Sequence, residues 1–94
     1  MALPSFDVYS ARMLSAGYDE VVERRWDPNA STGTHTHPFS VEALVVEGEL
    51  WLQCGEQTRH LTPGDTFRLP HGTPHAERYG PAGAAFWVAR RNAA

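Results

Sequence analysis

Cysteine is almost missing from this chain: Cys54 is the single one in 94 residues, which excludes an intramolecular disulfide framework. It precedes Gly55 in what reads as a hairpin tip, where an exposed and chemically idle thiol is expected. No apolar run approaches the roughly 20 residues of a membrane span. The stretch from Met1 to Ser10 has neither the basic nor the apolar region of a secretory signal, so a soluble cytoplasmic chain is expected. Positive charge is scarce as well. Eight basic residues stand against eleven acidic ones, giving a formal charge of -3, and this excludes an electrostatic footprint for nucleic acid. The basic pairs Arg24-Arg25 and Arg90-Arg91 read as solvated strand ends. Internal repeats and low-complexity segments are absent.

What remains reads as one small domain over residues 1–94, near the size at which a single apolar core suffices. Residues 5–16 form the one helical candidate, with Ser5 or Asp7 as cap, Val8, Ala11 and Leu14 on one face, and Gly17 as stop. Strands are expected at Tyr18 to Trp26, along the His-Thr-His stretch, and from Val41 to Gln53, the last bent at Gly48. Further strands follow at Gln57 to Leu61, Thr66 to Leu69, His75 to Tyr79 and Ala84 to Arg90. Cys54-Gly55-Glu56, Thr62 to Asp65 and Gly80 to Gly83 read as turns. Short strands every 8 to 12 residues, punctuated by Pro and Gly, predict an all-β sandwich or barrel.

The chemistry concentrates in Thr34-His35-Thr36-His37-Pro38 and Pro70-His71-Gly72-Thr73-Pro74-His75. On a strand, two residues separated by one place their side chains on the same face, with Cα atoms roughly 6.6 Å apart. His35 and His37 can therefore lean toward one ion, and the Pro/Gly loop can return His75 to the same place. His71 and His60 read as surface residues.

These residues carry a resemblance to the cupin superfamily over residues 29–79. Its first motif runs Gly, five residues, His-any-His, three or four residues, Glu, six residues, Gly. His35, His37 and Gly48 match it. Its second motif runs Gly, five residues, Pro-any-Gly, two residues, His, three residues, Asn, and Gly64, Pro70, Gly72 and His75 match. The resemblance implies a double-stranded β-helix, or jelly-roll, barrel with the short N-terminal helix appended. Asn29 stands in place of the first Gly, which Asn tolerates because it too adopts left-handed backbone, and Tyr79 replaces the final Asn. The acidic position is ambiguous. Glu42 fits when counted from His37, whereas counting back from Gly48 selects Val41. Glu77, two residues after His75 and on its face, is the other candidate carboxylate.

The resemblance implies one divalent metal ion held by His35, His37 and His75, with Glu77 or Glu42 as a fourth ligand. Imidazoles and a carboxylate suit Fe, Mn, Ni, Zn or Cu. Phe67, Trp51 and Tyr79 are candidate pocket residues. The expected partner is a small organic molecule, transformed at the metal in dioxygenase-type, isomerase or lyase chemistry. The alternative is a non-catalytic binding or sensory module. A homodimer through the N-terminal segment or the last strand is expected, because open strand edges need cover.

Overall fold

Side chains alternating between two faces account for most of the architecture. The computed structural model describes residues 3–92; the outermost two residues at each end of the expected 1–94 domain lie outside the described residues. Its elements are α1 (Phe6–Ser15), β1 (Glu20–Trp26), β2 (Phe39–Cys54), β3 (Gln57–Leu61), β4 (Thr66–Leu69) and β5 (Ala76–Asn92). All strand pairs are antiparallel: the sheet runs β1-β5-β2-β3, and β4 adds to β2. This is the all-β jelly roll with one N-terminal helix that the sequence predicts. Among the described residues, no helix is long and apolar enough to cross a membrane.

The two long strands are bent where their registers slip. Val45 faces Phe86 and Glu47 faces Ala85, so Val46 is an extra residue that reverses which side chains point inward. Before it Val41, Ala43 and Val45 are inside; beyond it Leu50 and Leu52 are. On β5 the excursion is larger. Gly48 pairs with Ala84 and Leu50 with Tyr79, so residues 80–83 stand opposite Glu49 alone. The expectation of a turn at Gly80 to Gly83 is thus corrected. Gly and Pro here mark a kink within one strand, because β2 continues on the neighbouring side and holds both halves. Gly48 sits at φ +70, and a Cβ there would run into the Gly83 carbonyl oxygen and come within 2.9 Å of the Ala84 Cα. Only glycine fits this crossing.

The bends fold the sheet around an interior of Val41, Val45, Leu50, Leu61, Phe67, Tyr79, Phe86 and Val88, among others. Burying each such side chain contributes about 1.5–3 kcal/mol. A second, smaller cluster lies on the outer face, where α1 covers the sheet. Ser5 Oγ accepts the Val8 N–H at 3.2 Å and caps the helix. Its Phe6 and Tyr9 rings meet Trp87 at centroid distances of 5.5 and 5.7 Å. Cys54 packs half-buried against the interior and is not the exposed thiol expected at a hairpin tip.

The His-Thr-His stretch is not a regular strand. Residues 27–38 cross the barrel end and are laced to the 70–79 segment by scattered bonds. His35 and His75 exchange both backbone bonds, at 2.9 and 3.0 Å. Beside them, Thr32 N–H donates to Glu77 O, Tyr79 N–H to Ala30 O and Gly72 N–H to His37 O. The proline and glycine flanks interrupt a ladder but leave these single contacts intact. Asn29 takes φ +60, the left-handed backbone expected of it.

Candidate metal centre

The lacing brings His35, His37 and His75 together from residues that are forty positions apart in the chain. One ligand atom from each lies within 4.8 Å of the others. Two of the rings are oriented by the same device. His35 Nδ1 lies 2.8 Å from Gly33 O, and His75 Nδ1 lies 2.9 Å from Thr73 O. A carbonyl oxygen only accepts, so Nδ1 carries the proton in both and Nε2 of the neutral ring keeps its lone pair. His75 is 2% exposed and its Nε2 has no partner, an arrangement that is unfavourable unless something electron-poor occupies the space before it. His37 stacks on Phe39 at 4.9 Å. Its pKa is lowered, first by burial and then by the neighbouring His75 and His35, with the Arg90 and Arg24 charges adding to the effect. The ring is therefore neutral at neutral pH, the form that ligates.

Glu77 is buried, with Oε2 at 4.0 Å from His35 Nε2. Its backbone N–H donates to Thr32 Oγ1 at 3.1 Å, which fixes the carboxylate's strand position. Beneath it lies Tyr79, 1% exposed and stacked on Trp26 at 5.0 Å. Burial, and then the adjacent Glu77 charge, push the Tyr79 phenol pKa up, so it stays protonated. Its Oη is not in hydrogen-bond geometry with any described group.

Glu42 does not join the cluster. It points outward and pairs with Arg68 at 2.8 Å across the β2–β4 ladder, while Val41 faces the cavity. One residue of register separates the two faces of a strand, which is why the two ways of counting disagreed. Phe67 lines the cavity, as expected. Trp51 does not: it lies on the outer face, stacked on His60 at 4.6 Å and covered by Arg78 at 4.2 Å. Tyr79 belongs to the packed interior and does not line the cavity. His60 is paired with Glu49 at 3.0 Å, and His71 is exposed at its turn.

The cavity beside the histidines measures about 150 Å³. Its walls are Trp26, Phe39, Val41, Phe67, Leu69, Phe86 and Val88, and Arg24 and Arg90 also line it. Arg24, Arg25 and Arg91 are exposed, as expected of solvated strand ends, whereas Arg90 is half-buried; Arg24 and Arg90 nevertheless border the cavity. Arg24 follows Val22 and precedes Trp26 on the inward face of β1, and Arg90 follows Phe86 and Val88 on that of β5. Strict alternation of two was the signal available in the sequence.

Three imidazoles with converging ligand nitrogens, the His75 Nε2 among them buried and unpartnered, beside a buried carboxylate, make a donor set that fits a first-row divalent cation. The Nδ1–H bonds to Gly33 and Thr73 are the outer contacts that hold such ligands in one tautomer.

A sequence profile described as the cupin domain matches residues 22–88. An RmlC-like cupin from Shewanella frigidimarina superposes with a TM-score of 0.70 and 28% identity, over 79% of this chain and 66% of that one. The polyketide cyclase RemF from Streptomyces resistomycificus superposes with a TM-score of 0.66 and 30% identity, over 86% of this chain and 66% of that one. An uncharacterized HTH-type transcriptional regulator from Haemophilus influenzae is 44% identical over 36 residues, 38% of this chain and 12% of that protein. The chain thus spans just under two thirds of the two structural relatives and a small part of the regulator.

Proposed function

We propose that this chain, which belongs to the cupin family, binds one divalent metal ion through His35, His37 and His75 and acts there on a small organic molecule held in the adjoining cavity. The observation that carries this is the buried, unpartnered Nε2 of His75 facing the same space as the two other imidazoles. A bound ion supplies a Lewis acid, and Fe, Mn, Ni or Cu adds one-electron chemistry with O2, whereas Zn does not. The dioxygenase-type reading requires one of those redox-active ions; isomerase or lyase chemistry does not. Glu77 is the fourth ligand in this proposal or, failing that, the base that takes a proton from the bound molecule. Apolar walls from Val41, Phe67, Leu69 and Val88 keep water from the reacting atoms.

The test is elemental mass spectrometry of untagged protein beside the His35→Ala/His37→Ala double variant. The expected result is one equivalent of a first-row metal per chain, lost in the variant. No metal in the native protein, even after incubation with each ion in turn, ends the metalloprotein reading.

A second reading is favoured by the likeness to a transcriptional regulator over 36 residues: a sensory module that binds its ligand without turning it over. Consumption of a bound organic molecule by metal-loaded protein separates the two, since a sensor returns its ligand unchanged.

A further inference from the structure

The hydrogen-bonding character of the cavity is lopsided. Among the described residues, four buried side-chain polar atoms lack a partner: Trp26 Nε1, His75 Nε2, Tyr79 Oη and Arg90 Nε. Trp26, His75 and Arg90 line the cavity, and Tyr79 stacks on Trp26. Of the three that line the cavity, His75 Nε2 is assigned to the ion, and the other two, Trp26 Nε1 and Arg90 Nε, can only donate.

Charge points the same way. Arg90 gives one guanidinium nitrogen to Glu20 at 3.1 Å, on the exposed edge of β1, while its Nε–H is unmet. Its head lies over the Phe39 ring at 5.0 Å. Arg24 has no ion pair among the described residues and rests over the Trp26 ring at 5.4 Å. Both rings are themselves cavity walls, so Arg24 is held beside the cavity by stacking alone and Arg90 by stacking together with its Glu20 pair. The lining carries two guanidinium groups and one carboxylate, Glu77, and of the two cations only Arg90 has a carboxylate partner, Glu20, outside the cavity. An unmet donor set with excess positive charge calls for an anionic acceptor.

Size narrows the class. A cavity of about 150 Å³ matches the volume that accommodates benzene. Its walls between the two arginines are Phe86, Val88 and Phe39, which favour an apolar body.

We infer that the molecule bound in this cavity is a small organic acid, its carboxylate held by the Arg90 Nε–H, with Arg24 as the second cation and its apolar body against Phe67 and Phe86. This rests on the ligand-binding reading given above but does not need the metal. It predicts that an acid binds much better than its neutral amide.

The experiment is calorimetric titration of the native protein with carboxylates from acetate through malonate to benzoate, each beside its amide, and with inorganic phosphate. Metal content is measured on the same samples. At least one acid is expected to bind tenfold or more tightly than its amide and than phosphate. Arg90→Gln should weaken that acid tenfold or more and Arg24→Gln by about threefold, with metal content unchanged. Arg90→Lys keeps the charge without the planar fork and should fall between. Circular dichroism establishes that the variants are folded. Equal binding of acid and amide, preference for phosphate, no acid binding, or full affinity in Arg90→Gln each overturns the inference. Arginine-dependent acid binding by protein that takes up no metal would support it while defeating the metal reading alone.

Discussion

At the scale of single residues, one step of strand register decides which group belongs to the site. Val41 and Glu42 differ by one position, and only Val41 reaches the cavity. The three histidines and Glu77 were legible in the sequence because their spacing of two is the strand's own period. Arg24 and Arg90 obey the same period but were hidden by their charged neighbours Arg25 and Arg91. A residue-scale prediction concerns Tyr9, whose hydroxyl donates to Glu42 O at 3.2 Å. Burial, reinforced by the Glu42 charge, raises its pKa. An unfolded tyrosine titrates near 10, so above that pH the unfolded chain loses a proton that the native one keeps. The stability from this group is whole below about pH 10 and drains away as pH rises beyond it. Tyr9→Phe should cost about 1 kcal/mol at pH 7 through the lost hydrogen bond. It should also shrink the difference between pH 7 and pH 11 in urea unfolding. An unchanged difference would show that the buried phenol is not responsible.

At the scale of elements, the crossing of β2 and β5 holds the barrel's shape, and Gly48 permits it. Gly48→Ala should destabilise by about 3 kcal/mol or more, since left-handed strain and a backbone clash add. That corresponds to a fall of roughly 10–20 °C in Tm for a domain this size. Gly55→Ala is the control: φ is +60 but nothing lies within 4 Å of the new Cβ, so only the backbone strain remains. Equal melting shifts in differential scanning calorimetry would mean that the crossing tolerates a side chain. The same crossing explains what sequence reading could and could not recover here. Helix α1 and β1 to β4 were legible from caps, alternation and turn residues. Gly80 to Gly83 has the composition of a turn, and local composition does not reveal that a neighbouring strand bridges the kink. The His-Thr-His stretch has the pattern of a strand, because two-residue spacing looks alike in a ladder and in an extended crossing held by isolated bonds.

At the scale of the whole molecule, the topology removes one of the two routes expected for dimerisation. The last strand is flanked by β1 and β2 and offers no free edge along residues 84–90. The N-terminal route remains, where Leu3, Val8 and Leu14 are exposed. Light scattering at micromolar concentration is expected to return about twice the 10.4 kDa of one chain, and a monomer mass would end the expectation. The lacing between residues 30–37 and 72–79 has a bearing on traffic through the barrel end. Bonds from Ala30, Thr32, His35 and His37 to their partners tie two distant stretches into one mechanical piece, so backbone there does not swing aside as a lid. What borders the cavity on its exposed side instead is the long side chain of Arg24, while Arg90 is anchored to Glu20. Passage into the cavity is then a matter of torsional rotation in Arg24, which for an exposed side chain takes picoseconds to nanoseconds, in place of the microseconds to milliseconds of a moving loop. A molecule held in this barrel is detained by its own contacts and not by a door.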